Sequence, residues 1–166
     1  MATVVQGKIT LPSFLVGTLE ESTYRRWLVR KAVAHVKRDR ARGNEQATWA
    51  EYRDAIHAAV LECRGLDAYT GKDLDWGLVS TYDNKKSKDG RREYKKQFAD
   101  LPTVDHVGDG RGAPVFKICS WRVNDAKGDL TLAELQKLCV EILARSEARP
   151  DTPTVDPQPY PIDSDR

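Results

Sequence analysis

No two cysteines in this sequence stand in a CxxC pair, and the count is odd: Cys63, Cys119 and Cys139 are isolated. That argues against a disulfide framework and a zinc ribbon, and it suits a reducing compartment. No apolar segment approaches the roughly 20 residues that a membrane-spanning helix needs. No positively charged start leads into an apolar run, so a signal peptide is not expected. A cytoplasmic protein without membrane association follows as the expectation. The chain also lacks an internal repeat and a large excess of either charge, with a net charge of +2. What it does have is 166 residues, 40% of them hydrophobic and 31% charged. This is enough for one domain with a sizeable core under a strongly solvated surface.

The distribution of charge says more than its sum. Residues 25–42 carry eight Lys/Arg and residues 85–96 carry seven, fifteen of the chain's 27. Two short basic blocks of this kind can track phosphates, because neutralising phosphate releases counterions. Arg30, Lys37 and Arg38 in the first block, and Lys85, Lys86, Lys88, Arg91 and Arg92 in the second, are the candidate nucleic-acid contacts. Each block could also be only a solvated face. In the second, Tyr82 and Tyr94 interleave with the charges, a mix that suits base stacking.

Along the chain, residues 1–17 read as an extended arm packed against the body. Thr18 with Glu21, Thr48 with Glu51 and Thr131 with Glu134 each have the spacing of a capping box, Ser/Thr followed by Glu three residues on. They predict three helices. The first runs to about Arg42 with Tyr24, Leu28, Ala32, Val33 and Val36 inward. The second places Trp49, Tyr52, Ile56, Ala59, Val60 and Cys63 on one stripe. The third turns Leu132, Leu135, Leu138, Cys139, Ile142 and Leu143 to the core. His35 and His57 are read as structural. Residues 66–80 predict a turn at Thr70-Gly71-Lys72 between short strands, with Leu74, Trp76 and Leu78 on one strand face. Asp67, Asp73 and Asp75 belong to turn chemistry, since EF-hand spacing is missing. Residues 82–96 predict a loop around Asp89-Gly90, with Arg91 to Phe98 as possible helix. From residue 149 the chain holds five of its eight prolines and four Asp, which predicts a disordered tail.

The stretch LPTVDHVGDGRGAPVFKICSWRVNDAKGDL, residues 101–130, concentrates the chemistry. A β-like run ends in Asp105 and His106, a glycine-rich hairpin connection follows, and a second β-like run leads to Asn124-Asp-Ala-Lys127. Hydrolysing a phosphodiester needs a cation at the phosphate, a general base for water and cationic donors around it. Asp105 offers a hard oxygen ligand for Mg²⁺ or Mn²⁺ and Asn124 a neutral second one. His106 has the base's ordinary pKa. Lys127 shares a helix face with Asn124 and can hold a phosphate. Strand neighbours point to opposite faces, so Asp105 and His106 can serve one site only if the strand breaks there, which Gly108 and Gly110 permit.

These residues resemble the HNH (ββα-metal) nuclease family: an Asp-His closing the first strand, a loop, a second strand, then a short helix bearing Asn-x-x-Lys. The segment from Asn124 to Glu134 is similar to the Asn-x-x-Lys-Ser-Asp segment and acidic helix in the HNH domain of CRISPR effector nucleases. Upstream, Cys63 to Leu74 with Tyr69-Thr70-Gly71 resembles the Cys…Thr-Gly…Leu entry of some members. The likeness spans roughly residues 63–143. It implies that Asp105 and Asn124 bind the metal, that His106 is the general base, and that nucleic acid is the substrate. The family's middle Asn, which orients that base, falls near Val115 here. The zinc cysteines of many members are absent, leaving Trp76, Phe116, Ile118 and Trp121 to scaffold by packing.

The expectation is therefore an α+β protein, with a ββα-metal (HNH-like) hairpin–helix core and additional N-terminal and C-terminal helices. Its parts are an arm over 1–17, a basic helical part over 18–62, the HNH-like part over 63–148 and a tail over 149–166. The expected function is a Mg²⁺- or Mn²⁺-dependent endonuclease acting on DNA. The alternative is a non-catalytic nucleic-acid-binding protein on the same scaffold.

Overall fold

Tyr24, Trp27, Leu28, Ala32, His35, Val36 and Asp39 recur at helical spacing and fall on one buried face of α1 (Glu21–Ala41). The computed structural model describes residues 9–147. Residues 1–8 and the predicted tail at 149–166 lie outside the described residues. Helix α2 (Trp49–Cys63) buries Tyr52, Ile56, Ala59 and Val60. It is followed by α3 (Asn84–Lys96), strands β1 (Pro102–His106) and β2 (Phe116–Ser120), and the short helix α4 (Trp121–Lys127). Helix α5 (Leu132–Glu147) closes the order, so the architecture is α+β. Among the described residues no helix is long and apolar enough to cross a membrane.

The strands pair antiparallel, with Val104 opposite Ile118, Asp105 opposite Lys117 and His106 opposite Phe116. Alternation gives the hairpin two faces. Val104, Phe116 and Ile118 join Tyr24, Leu28, Tyr52 and Ile56 in the core against α1 and α2. On the other side α4 contacts both strands. Leu11 and Phe14 pack against this core and Leu15 lies within it, as the arm's predicted packing requires.

The capping boxes divide. Thr48 accepts from the Glu51 amide at 3.3 Å and opens α2 as expected. Thr131 and Glu134 form a reciprocal box, Glu134 accepting from the Thr131 amide at 2.7 Å and Thr131 from the Glu134 amide at 3.2 Å. Thr18 caps nothing. Its amide bonds Leu15 O in a turn, and α1 starts later, with Glu20 at the cap and no side-chain hydrogen bond there.

In α1 and α2, two residues assigned inward lie on the surface: Val33 is 51% exposed and Trp49 50%. Val33 is one residue, and so about 100°, off the stripe through Ala32 and Val36. Trp49 opens α2 beneath the Arg53 guanidinium, 5.2 Å from its ring. The stretch 66–80 is not a strand pair but a turn closed by the single bridge Leu66–Asp73, then a one-turn 3₁₀ helix, Trp76–Leu78. The Asp89-Gly90 loop is instead a kink inside α3, where Arg91 has φ 44°.

A second compact unit begins at Asp129, and its described residues run to 147. Its helix α5 buries none of its residues, and Leu132, Leu138, Ile142 and Leu143 are exposed. Within its own unit this stripe is left open, so the predicted core role is not met there. Amphipathic spacing marks an apolar face but does not say what covers it.

The turn is fixed by Asp67, which is fully buried. Its carboxylate accepts from the amides of Tyr69 at 2.8 Å, Thr70 at 3.1 Å and Ser120 at 2.8 Å. Burial raises the pKa of such a group, but these donors outweigh it and hold Asp67 below its ordinary value. Its stabilisation is thus full above pH ~3.9, the ordinary aspartate value, and is lost as pH falls below it. Asp67→Ala strands three amides and is expected to lower unfolding stability at pH 7 by roughly 3–5 kcal/mol. Urea denaturation reads this directly, and an unchanged midpoint would contradict the assigned role.

Candidate active site

Strand β1 carries two chemical groups on its two faces. On one, Asp105 is buried and receives two donors. Tyr69 OH, delivered by the turn that Asp67 fixes, donates to Oδ2. Lys127, the last residue of α4, donates to Oδ1 at 3.2 Å. The Ser120 hydroxyl caps α4, accepting from Val123 N at 3.3 Å, while the Ser120 amide bonds Asp67. One turn of chain thereby sets both Tyr69 and the start of the helix that brings Lys127 to Asp105. Burial first, then the Asp105 carboxylate, raises the Tyr69 pKa, so its hydroxyl remains a donor.

Lys31 reaches this face from α1. Its ammonium donates to Thr103 Oγ1 at 3.1 Å, and Thr103 lies two residues before Asp105 on the same side of β1. Burial, then the neighbouring Arg30, brings the Lys31 pKa down to about 8. The site thus holds one carboxylate with two ammonium groups nearby, and an anion would be attracted to it. Asn124 stands one helical turn before Lys127 on α4 and is half-buried.

His106 faces the other way. The strand continues past it, Val107 N donating to Val115 O at 2.9 Å, so the break that would let Asp105 and His106 converge is absent. The imidazole packs on Phe116 at 5.0 Å between ring centroids and on Tyr52 at 6.4 Å. Its Nε2 lies 3.5 Å from Asp39 Oδ2, and its side chain is 7% exposed. Burial lowers the His106 pKa, with Arg38 and Arg42 adding to the shift and Asp39 opposing it. The ring is therefore neutral at pH 7.

Asp39 is fully buried and accepts from Tyr52 OH at 2.7 Å. The Arg42 guanidinium stands 3.8 Å from its Oδ1. Burial, then the hydrogen bond to Asp39, pushes the Tyr52 pKa up to about 12. The loop between the strands closes over this carboxylate. Asn44 Nδ2 donates to Gly110 O at 2.9 Å, and Gly110, at φ +77°, lies directly against Asp39. Among the described residues Asp39 Oδ1 and His106 Nδ1 find no hydrogen-bond partner. Val115, where the resemblance expects an amide, is exposed. The group beside His106 comes instead from α1, outside the stretch that the resemblance covers.

The structure brings Asp105 and Lys127 together and turns His106 to the opposite face of the strand. Arg30, Lys37, Lys85, Lys86, Lys88, Arg91 and Arg92 are all exposed. Arg38 is exposed too, although one of its guanidinium nitrogens lies 2.5 Å from His35 Nδ1. Tyr82 and Tyr94 are not free for bases. Their rings pack together at 5.5 Å, and Tyr82 meets Phe98 at 4.9 Å and Trp121 at 5.5 Å. Sequence reasoning missed Tyr69 as a donor to Asp105, and also Lys31, Asp39 and Tyr52. Asp39 alone carried a signal, an acid three residues after Val36 on the apolar stripe of a basic helix. No family model, curated protein or solved structure matches the chain.

His35 is buried against Phe116 at 4.9 Å. Burial, then Arg38, takes its pKa down to about 3. The unfolded chain therefore binds a proton that the folded chain refuses between pH ~6.5 and 3, and stability falls as pH drops through that window. Replacing His35 by Gln is expected to flatten the stability-versus-pH slope between pH 6 and 4.5 by up to about 1.4 kcal/mol per pH unit. Denaturant melts across that range measure the slope, and identical slopes would reject the assignment.

Proposed function

We propose that this chain is a divalent-metal-dependent endonuclease of the HNH type, cleaving phosphodiester bonds of nucleic acid, DNA in particular. The observation that carries the reading is the Asp105–Lys127 pair at 3.2 Å. It joins a strand to the helix that follows the hairpin, with Asn124 one turn earlier on that helix. A hairpin followed by such a helix supports reading the site as a ββα metal centre.

The donor set suits Mg²⁺ or Mn²⁺. Asp105 and Asn124 offer hard oxygens, and Mg²⁺ is commonly held by one or two protein ligands, with water and phosphate completing its shell. The Lys127 ammonium now neutralises Asp105, so a divalent ion would bind there only as that ammonium moves off the carboxylate. Among the described residues no group of three or more His, Cys, Asp or Glu converges on one point. Bound there, the ion supplies charge stabilisation at the phosphate and the leaving oxygen.

The chain's own residues do the rest. Tyr69 fixes one oxygen of Asp105. Lys127, released from Asp105, is placed to take a phosphate oxygen, and Lys31 adds positive charge from the side. His106 is neutral and able to accept a proton, but it sits on the face of β1 opposite Asp105, beside Asp39, and would serve the centre only by leaving that partner. To take that proton from water, the imidazole must leave its packed position under the 107–115 loop. That burial favours a second reading, a nucleic-acid-binding protein without catalysis.

Plasmid nicking with Mg²⁺ or Mn²⁺ separates the two. Wild type is expected to nick, Asp105→Asn to lose activity, and His106→Ala to fall roughly 10²- to 10⁴-fold, the range for a general base. Wild type that binds DNA and never nicks it with either metal would establish the binding reading instead.

A further inference from the structure

Beside α4, on the side away from Asp105, lies a groove that the proposed reaction leaves unused. Its cavity is about 250 Å³, and its lining includes Arg92, Lys95 and Lys96 of α3 with Trp121, Arg122 and Asp125 of α4. Four cations face one carboxylate. Glu93, outside the lining, pairs with Lys96 at 2.8 Å. The kink at Arg91 turns the second half of α3 into this position. Arg122 N donates to Ala99 O at 3.0 Å and Trp121 N to Leu101 O at 2.8 Å, tying the first turn of α4 to the segment between α3 and β1. The Trp121 ring is held edge-on by Tyr82. The walls are therefore set by backbone hydrogen bonds and aromatic packing, while the cationic side chains stay exposed.

We infer that this groove binds the sugar–phosphate backbone of nucleic acid, as an anchoring site across α4 from the proposed centre. The inference rests on the reading of Asp105 and Asn124 as the reacting centre. Cations gathered in one groove repel each other unless an anion neutralises them, and a phosphodiester backbone supplies repeated anions. Arg122 and Asn124 are two residues apart, about 3 Å along the helix axis but about 200° around it, so the groove and the proposed centre lie on different faces of the same short helix. Nucleic acid held in the groove is thus kept across α4 from the centre. The groove takes no part in bond breaking. Arg122 and Lys95 contribute here although neither stood out in the sequence.

The test is binding of a fluorescein-labelled DNA duplex by anisotropy, in EDTA to prevent cleavage, across a salt series. A triple variant, Arg92→Gln with Lys95→Gln and Arg122→Gln, is compared with a control removing equal charge elsewhere, Lys72→Gln with Lys137→Gln and Arg145→Gln. Each lost phosphate contact reduces the slope of log K against log salt by about 0.9. The groove variant is expected to reduce it by about 2 to 3 and the control by less than about 0.5. The groove variant should also bind more than about tenfold more weakly at moderate salt. Circular dichroism confirms that both remain folded, and Lys95→Glu alone gives a second measure of direction. Equal slopes in groove and control variants, or no binding by wild type, overturn the groove. The nuclease reading fails separately, if the slope responds as expected but wild type never nicks plasmid.

Discussion

A single buried carboxylate, Asp67, holds the parts of the candidate site in place. It accepts three backbone amides from two distant stretches of chain, residues 69–70 and Ser120. Such a group is stable inside the protein only because those donors replace the water it has lost. In return it fixes where the Tyr69 ring leaves the turn and where β2 gives way to α4. The Asp105–Lys127 pair and the Tyr69 bond both follow from those two positions. The chemistry sits on β1, but its geometry is set 35 residues or more upstream.

Much of this was legible in the sequence. Thr48 and Thr131 mark real helix starts because a hydroxyl and a carboxylate three residues apart satisfy the amides that a first helical turn leaves open. Asp105 and Lys127 were identified by type and spacing, and they meet. Thr18 has the same spacing and fails, because its amide is taken by the turn from Leu15 and the helix starts two residues later. Val33 and Trp49 were misplaced because apolarity marks a preference, whereas the angle around the helix decides the face.

The two-sided strand was the hardest part to foresee. Alternation alone puts Asp105 and His106 on opposite faces, and only a break would have united them. Whether glycines at 108 and 110 are used for such a break depends on what the loop packs against. It packs against Asp39, a residue of α1 nearly 70 positions before the loop. No local pattern announces such a partner. The basic first block therefore has two roles. Its outward side is solvated charge, and its inward side supplies His35 and Asp39 to the far face of the strand.

The contact between Gly110 and Asp39 bears on how this loop can drift over generations. A Cβ at position 110 would lie 2.5 Å from the Asp39 carboxylate oxygen, and the backbone there is already at a positive φ. A Cβ at Gly112 meets nothing within 4 Å. Two glycines of one short motif thus differ in mutability: 112 is free to vary, and 110 is bound to the identity of residue 39. A side chain at 110 would thus have to overcome both the Asp39 carboxylate and a strained backbone, whereas a change at 39 leaves the glycine acceptable.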